Sequence, residues 1–266
     1  MASRIAVAAT APFGADVLER LAAHHEIASV LTRPDKPAGR GRHETPPPAK
    51  VTAERLGIPV LQPERLDPSL DLDAPTVVVA AYGVLSPPSV LDGRLWLNVH
   101  PSLLPRWRGA APVERAIMAG DRETGVTIHE TVEALDAGPI AAQSAFPIGP
   151  DDDAGAVYAR AAEVAAGLLD GVLAGEPSFT PQPEEGVTYA EKITAADREL
   201  DWSLPPQELL DRIRALSPHI GARGELDGRR LTIWSARLEH GKLVPVEVQP
   251  EGKRRMTYDE FLRGLR

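Results

Sequence analysis

Apolar residues recur with two periods over the first two thirds of the chain. Ile5-Ala-Val-Ala-Ala9 is a short apolar run, which predicts a buried strand over Arg4–Thr10 that Pro12 closes. Phe13, Val17, Leu18 and Leu21 fall at helical spacing and predict a helix over Phe13–Ala23. Ile27–Thr32 and Pro59–Leu61 read as strands, with a helix over Ala49–Leu56 between them. Thr76–Tyr82 is a continuous β-rich run of the kind that is covered on both faces in a parallel sheet. Further strands are expected at Trp96–His100, Thr124–Thr131 and Ile140–Phe146, and helices at Ala110–Ala119 and Ala154–Leu173. This alternation predicts an α/β fold: an open, mostly parallel, Rossmann-like sheet with helices on both faces and ligands at the carboxyl ends of its strands.

Two segments break the alternation. From Arg33 to Pro48 the chain is rich in Pro, Gly and Arg, and Pro46-Pro47-Pro48 speaks against helix, so a long structured loop is expected there. From Pro177 to Pro183 the texture becomes that of a linker. Beyond it come a helix near Gln207–Leu216, strand-like pieces at Ile220–Leu226, Arg230–Leu238 and Leu243–Val248, and a last helix near Tyr258–Leu265. The expected division is a large domain over 1–176, a linker over 177–203 and a small β-rich domain over 204–266. A chain of 266 residues suits one large domain plus a small one.

Composition narrows the options. The absence of cysteine excludes disulfides and thiolate metal sites and fits a reducing compartment. The N-terminus is too short and too weakly apolar for a signal peptide, and no run approaches the ~18 apolar residues of a membrane span. A cytoplasmic protein with no membrane contact, and a monomer, is the expectation. The net charge of −9 argues against a surface that coats nucleic acid. Its distribution is uneven: residues 201–266 carry 12 Lys+Arg against 10 Asp+Glu, the rest 17 against 28. Within the acidic part, Arg33, Lys36, Arg40 and Arg42 face Asp35 alone, a basic island suited to local phosphate contact or simply to a solvated loop.

The densest chemistry lies at 97–112. Asn98 and His100 alternate with Leu97 and Val99 and therefore share one strand face, and Pro101 ends the strand directly after them. An amide donor beside an imidazole that titrates near neutrality is a usable pair for acyl transfer, or a structural pair bonded to a neighbouring loop. Asp136, in the turn Leu135-Asp-Ala-Gly138, either orients that imidazole or caps its own backbone. No cluster has metal-ligand spacing, and no metal is expected. His24, His25, His43, His129, His219 and His240 read as solvated or structural, with His129 set apart by its closeness in sequence to Asp136.

Asn98-Val-His100 followed by Pro-Ser-Leu-Leu-Pro-Arg-Trp-Arg-Gly-Ala-Ala-Pro at 101–112 closely resembles the signature of the folate-dependent formyltransferases. Gly125-Val-Thr-Ile128 and Leu135-Asp-Ala-Gly138 follow at the family's spacing. Three more stretches resemble the methionyl-tRNA formyltransferases in particular: Arg33–Arg42, Val187–Ile193 leading to Leu200-Asp-Trp-Ser203, and Val248–Met256. The resemblance spans about residues 4–266. It implies transfer of the formyl group of 10-formyltetrahydrofolate to the α-amino group of methionyl initiator tRNA, with Asn98, His100 and Asp136 as the catalytic set. It further implies folate contacts from Ser102, Leu103, Leu104 and Pro105, a pterin pocket walled by Tyr82 and Leu85, and tRNA contacts from Arg33, Lys36, Arg40 and Arg42. Two rivals stay open: an N-formyltransferase for amino-sugar nucleotides, and a catalytically inactive tRNA-binding relative.

The sequence departs from the family pattern in three places. Ala8-Ala-Thr-Ala-Pro12 replaces the usual Ala-Gly-Thr-Pro, Ser217–Arg223 has lost expected aromatics, and the chain passes from Glu239-His-Gly-Lys242 almost directly to its final strand. In place of a complete OB-like barrel, a reduced barrel or an open sheet is expected at the C-terminal end.

Overall fold

The computed structural model describes residues 2–38, 43–84 and 87–265. The chain begins with β1 (Arg4–Ala9), α1 (Pro12–Leu21), β2 (Glu26–Leu31), β3 (Lys36–Ala38), β4 (His43–Thr45), α2 (Pro48–Arg55) and β5 (Val60–Leu61). Next come β6 (Thr76–Ala80), α3 (Pro88–Leu91), β7 (Leu95–His100), β8 (Arg108–Gly109), α4 (Pro112–Met118), β9 (Glu123–Glu130) and β10 (Ile140–Pro147). The last part holds α5 (Ala154–Val172), β11 (Tyr189–Ala190), α6 (Pro206–Leu216), β12 (Ala222–Leu226), β13 (Arg229–Glu239), β14 (Lys242–Pro250), β15 (Met256–Thr257) and α7 (Tyr258–Arg263).

Seven strands form one sheet in the order β10-β9-β7-β6-β1-β2-β5. The pairs β1/β2, β1/β6, β6/β7 and β2/β5 are parallel, whereas β7/β9 is antiparallel, so the sheet is mixed and mostly parallel. The apolar runs read from the sequence are its central strands. Ile5 to Ala9 are fully buried because β1 lies between two other strands and is covered on both faces. Ala6, Ala8, Leu31, Leu72, Val77, Tyr82, Val90 and Trp96 form one apolar cluster of this region.

The segment expected as a long structured loop over Arg33–Pro48 contains two short strands: β3 and β4 pair antiparallel, Lys36 with Thr45 and Pro37 with Glu44. Its last proline opens α2 instead of forbidding helix. Proline in a first helical turn loses nothing, since the N–H it lacks has no intrahelical acceptor there.

Contacts divide the chain into two compact units that interleave in sequence. One comprises Met1–Arg108, Gly125–Ala145 and Ala159–Thr188, and the other Gly109–Thr124, Phe146–Tyr158 and Tyr189–Arg266. A single break near residue 177 does not describe them, because α4 packs on α6. Arg115 of α4 also forms an ion pair with Asp197 at 2.7 Å. The second unit holds an antiparallel sheet in the linear order β12-β13-β14-β15, the open form of the two expected. Leu231, Ile233 and Val248 from it bury against Leu209, Ile213 and Leu216 of α6 and Phe261 of α7. The abrupt passage at 239–242 is a tight hairpin: Glu239 pairs with Lys242, and His240 and Gly241 both have positive φ, 49° and 76°. Such a two-residue turn matches the twist of its strands.

Among the described residues, no helix is long and apolar enough to cross a membrane.

Candidate active site

Antiparallel pairing of β7 with β9 sets Asn98 opposite His129 and His100 opposite Thr127. Directly opposed residues project to the same face, so four polar side chains gather at the end of β7. The turn after β9 returns Asp136 to this cluster. Asn98 Nδ2 lies 3.2 Å from Asp136 Oδ1, and His100 Nδ1 lies 3.6 Å from Asp136 Oδ2. The amide, imidazole and carboxylate read from the sequence thus meet in one place.

Partner chemistry assigns the protons. His129 Nδ1 lies 2.8 Å from the carbonyl oxygen of Glu130, which can only accept, so Nδ1 carries hydrogen in the neutral ring. Its Nε2 therefore accepts from Asn98 Nδ2, at 3.0 Å. Both Asn98 N–H groups are engaged, one by His129 and one by Asp136. The reversed amide would set its oxygen against a carboxylate and a lone pair. By the same reasoning His100 Nε2 donates to the carbonyl of Trp107, at 2.8 Å, which leaves the Nδ1 lone pair toward Asp136.

His100 is 4% exposed, and its pKa is lowered from the ordinary 6.5, chiefly by burial. The charge of Asp136 and the Trp107 carbonyl act in the opposite direction, and His129 adds to the lowering. The ring is therefore neutral at neutral pH, with a proton-accepting nitrogen beside a carboxylate able to stabilise the cation. That is the requirement for a general base that becomes a general acid.

Two loops border this centre. The loop at 102–106 hangs on Thr127, a fully buried residue of β9. The Thr127 hydroxyl donates to Ser102 O at 2.7 Å and accepts from Leu104 N at 3.1 Å and Gln143 Nε2 at 2.8 Å. Gln143 also donates to Leu104 O at 3.0 Å, and the Ser102 hydroxyl donates to Arg106 O at 2.7 Å. The second loop carries Asp136 itself, at φ 47°. Gly138 beside it lies so close to the carbonyl of Glu130 that a Cβ would collide with it.

The other expected site residues separate. Ser102 and Leu104 are buried, while Leu103 and Pro105 are partly exposed. Tyr82, expected to wall a pocket, is 3% exposed and belongs to the apolar cluster of the sheet. β6 ends at Ala80, the chain turns at Ala81 with φ 46°, and the ring packs inward. Leu85 lies outside the described residues, as do Arg40 and Arg42. Lys36 is exposed on β3, and Arg33 is half-buried with its carbonyl accepting from Gln62 at 2.8 Å. Asp35, the acidic residue of that stretch, forms an ion pair with Lys50 at 2.8 Å.

His129, read as solvated or structural and set apart by its closeness to Asp136, is buried at 2% exposed and stands in the cluster. Gln143 and Gln182 were not singled out at all, and Thr127 entered only within the motif Gly125–Ile128. The available signal was the alternation Thr127–His129 on a predicted strand, which places both on one face; the register that sets them against Asn98 and His100 is not written locally.

Comparison with known proteins gives the family. The family model described as Formyl transferase matches residues 3–173, and that described as Formyl transferase, C-terminal domain, matches residues 192–244. A methionyl-tRNA formyltransferase of Cereibacter sphaeroides is 42% identical, with 98% of this chain and 96% of the relative covered. One of Halorhodospira halophila is 40% identical, covering 100% and 97%. Among solved structures, HypX from Aquifex aeolicus in complex with tetrahydrofolic acid superposes with a TM-score of 0.67 at 16% identity, covering 98% of this chain and 46% of that one. At that identity the likeness speaks for the fold alone.

Proposed function

The chain belongs to the formyl transferase family, with methionyl-tRNA formyltransferases as its full-length relatives, and from that premise we propose that Asn98, His100 and Asp136 carry the transfer. The enzyme formylates methionyl-tRNA in a folate-dependent reaction. In the proposed reaction the donor is 10-formyltetrahydrofolate and the acceptor is the α-amino group of methionine on initiator tRNA, for translation initiation.

Free α-amino groups titrate near ~7.7–8.0, and an ester neighbour lowers this, so much of the nucleophile is neutral at cellular pH. The amine nitrogen bonds to the formyl carbon, and the carbonyl electron pair moves to oxygen. Asn98 donates to that oxyanion by redirecting an N–H now engaged by His129 or Asp136. His100 Nδ1 takes the proton shed by the nitrogen, and Asp136 stabilises the imidazolium across 3.6 Å. When the intermediate collapses, His100 returns the proton to the departing folate nitrogen. The loop Ser102–Pro105 is assigned to the folate. Arg33, Lys36, Arg40 and Arg42 are assigned to the acceptor end of the tRNA, where guanidinium groups suit phosphates and unpaired bases.

The observation that carries this reading is the convergence of one amide, one titratable imidazole and one carboxylate at the end of β7. Incubation with 10-formyltetrahydrofolate and methionyl-tRNA should yield formylmethionine. His100→Ala should lower turnover by roughly 10²–10⁴-fold while the protein stays folded. Near-normal turnover in that variant would overturn the assignment.

A further inference from the structure

Gln182 lies within the stretch expected as a linker, yet its amide makes four hydrogen bonds, two with Arg108 and two with the turn that carries Asp136. Its Oε1 accepts from Arg108 Nε at 3.1 Å and Arg108 Nη2 at 2.6 Å. Its Nε2 donates to the carbonyls of Asp136 and Gly138, both at 2.8 Å. Only this amide orientation works. The reverse would set N–H groups against a guanidinium, which only donates, and an oxygen against two carbonyls, which only accept. Gln182 is thus an adaptor between a rigid cation and two backbone acceptors of the turn that presents Asp136.

That turn needs holding. Asp136 sits in the left-handed region, at φ 47°, and Gly138 lies hard against the Glu130 carbonyl. The Asp136 carboxylate serves Asn98 at 3.2 Å and His100 at 3.6 Å, so a small movement of the turn changes both contacts.

We infer that Gln182, backed by Arg108, is a positioning residue that holds the Asp136 turn in its catalytic conformation. This inference rests on the proposed catalytic role of Asp136. Gln182 touches no reacting atom; it acts through the backbone of 136–138. The segment around Gln182 is therefore part of the catalytic apparatus.

The test compares Gln182→Glu, Gln182→Met and Asp136→Ala in the full chain, assayed with methionyl-tRNA and 10-formyltetrahydrofolate. Gln182→Glu keeps the side-chain length and the Arg108 partner but loses both donors. It should lower kcat about ten- to hundred-fold, because misplacing a catalytic group by an ångström costs that much, with both KM values within about threefold of the native ones. The acid limb of its kcat profile should move to lower pH, since a displaced carboxylate supports the His100 cation less. Its thermal unfolding midpoint should stay near that of the unaltered protein, and Gln182→Met should show the same kinetic change. Native kcat and an unmoved acid limb in either Gln182 variant would overturn the inference, as would an activity loss that only tracks the unfolded fraction. If Asp136→Ala keeps its turnover, the catalytic reading itself fails. If Asp136→Ala is inactive while the Gln182 variants behave as native, only the positioning role is lost.

Discussion

The loops at 102–106 and 136–138 border the same imidazole, and each is tied down through backbone groups by an amide side chain. They differ in depth. The first hangs from the fully buried Thr127 hydroxyl, with Gln143 as a second tie. The second hangs from Gln182, which is half-buried, and its two carbonyls are the accepting partners. A polar group left without a partner in the interior keeps its full desolvation cost, whereas near the surface water can replace the lost bond. The deep tie therefore supports stability and the shape of the loop together. The shallow tie mainly sets where the Asp136 carboxylate stands.

The strongest way to break this contrast is Thr127→Val, which preserves shape but strands Leu104 N–H and Ser102 C=O. It should destabilise by about 2–4 kcal/mol in urea denaturation, and raise KM for the formyl donor more than for the tRNA. A change below about 0.5 kcal/mol, within the range of ordinary surface substitutions, would mean that the hydroxyl is not the anchor. Gln143→Ala sharpens the picture within the first loop. Gln143 is exposed, so its loss should cost only about 0.5–1 kcal/mol, with a smaller rise in the same KM. Equal effects from the two variants would remove depth as the deciding factor.

The smallest effect concerns the centre that the loops share. His100 has a folded pKa below its ordinary 6.5, so between those two values the unfolded chain binds more protons than the folded one. Its contribution to stability is present above 6.5, declines as pH falls toward the folded value, and is constant below it. The urea midpoint of the protein should fall between pH of about 7.5 and about 5.5, and the drop should shrink in His100→Gln. An undiminished drop in that variant would assign the pH dependence to other groups.

Much of the fold was legible because its cues are local. Buried strands β1, β6 and β7 are apolar runs of the right length, and α1 shows its face at 3.6-residue spacing. Asn98, His100 and Asp136 stood out because they lie in or beside dense motifs. The short pair β3/β4 was not legible, since a proline-rich stretch carries no alternation, although its backbone can still pair. His129 and Gln182 were missed for another reason. Their polar atoms matter only because of residues 31 and 46 positions away, Asn98 and Asp136.

By itself, then, the sequence determined the kinds of element, their order, and the family to which the formyltransferase motif points. Periodicity and motif are properties of neighbouring residues and survive without any tertiary contact. Only the folded chain decided that His129 would face Asn98, that Tyr82 would turn into the core, and that a distant glutamine would hold the Asp136 turn. Those outcomes depend on strand register and on which buried polar groups find partners, and both are settled when separate stretches of chain exclude water together.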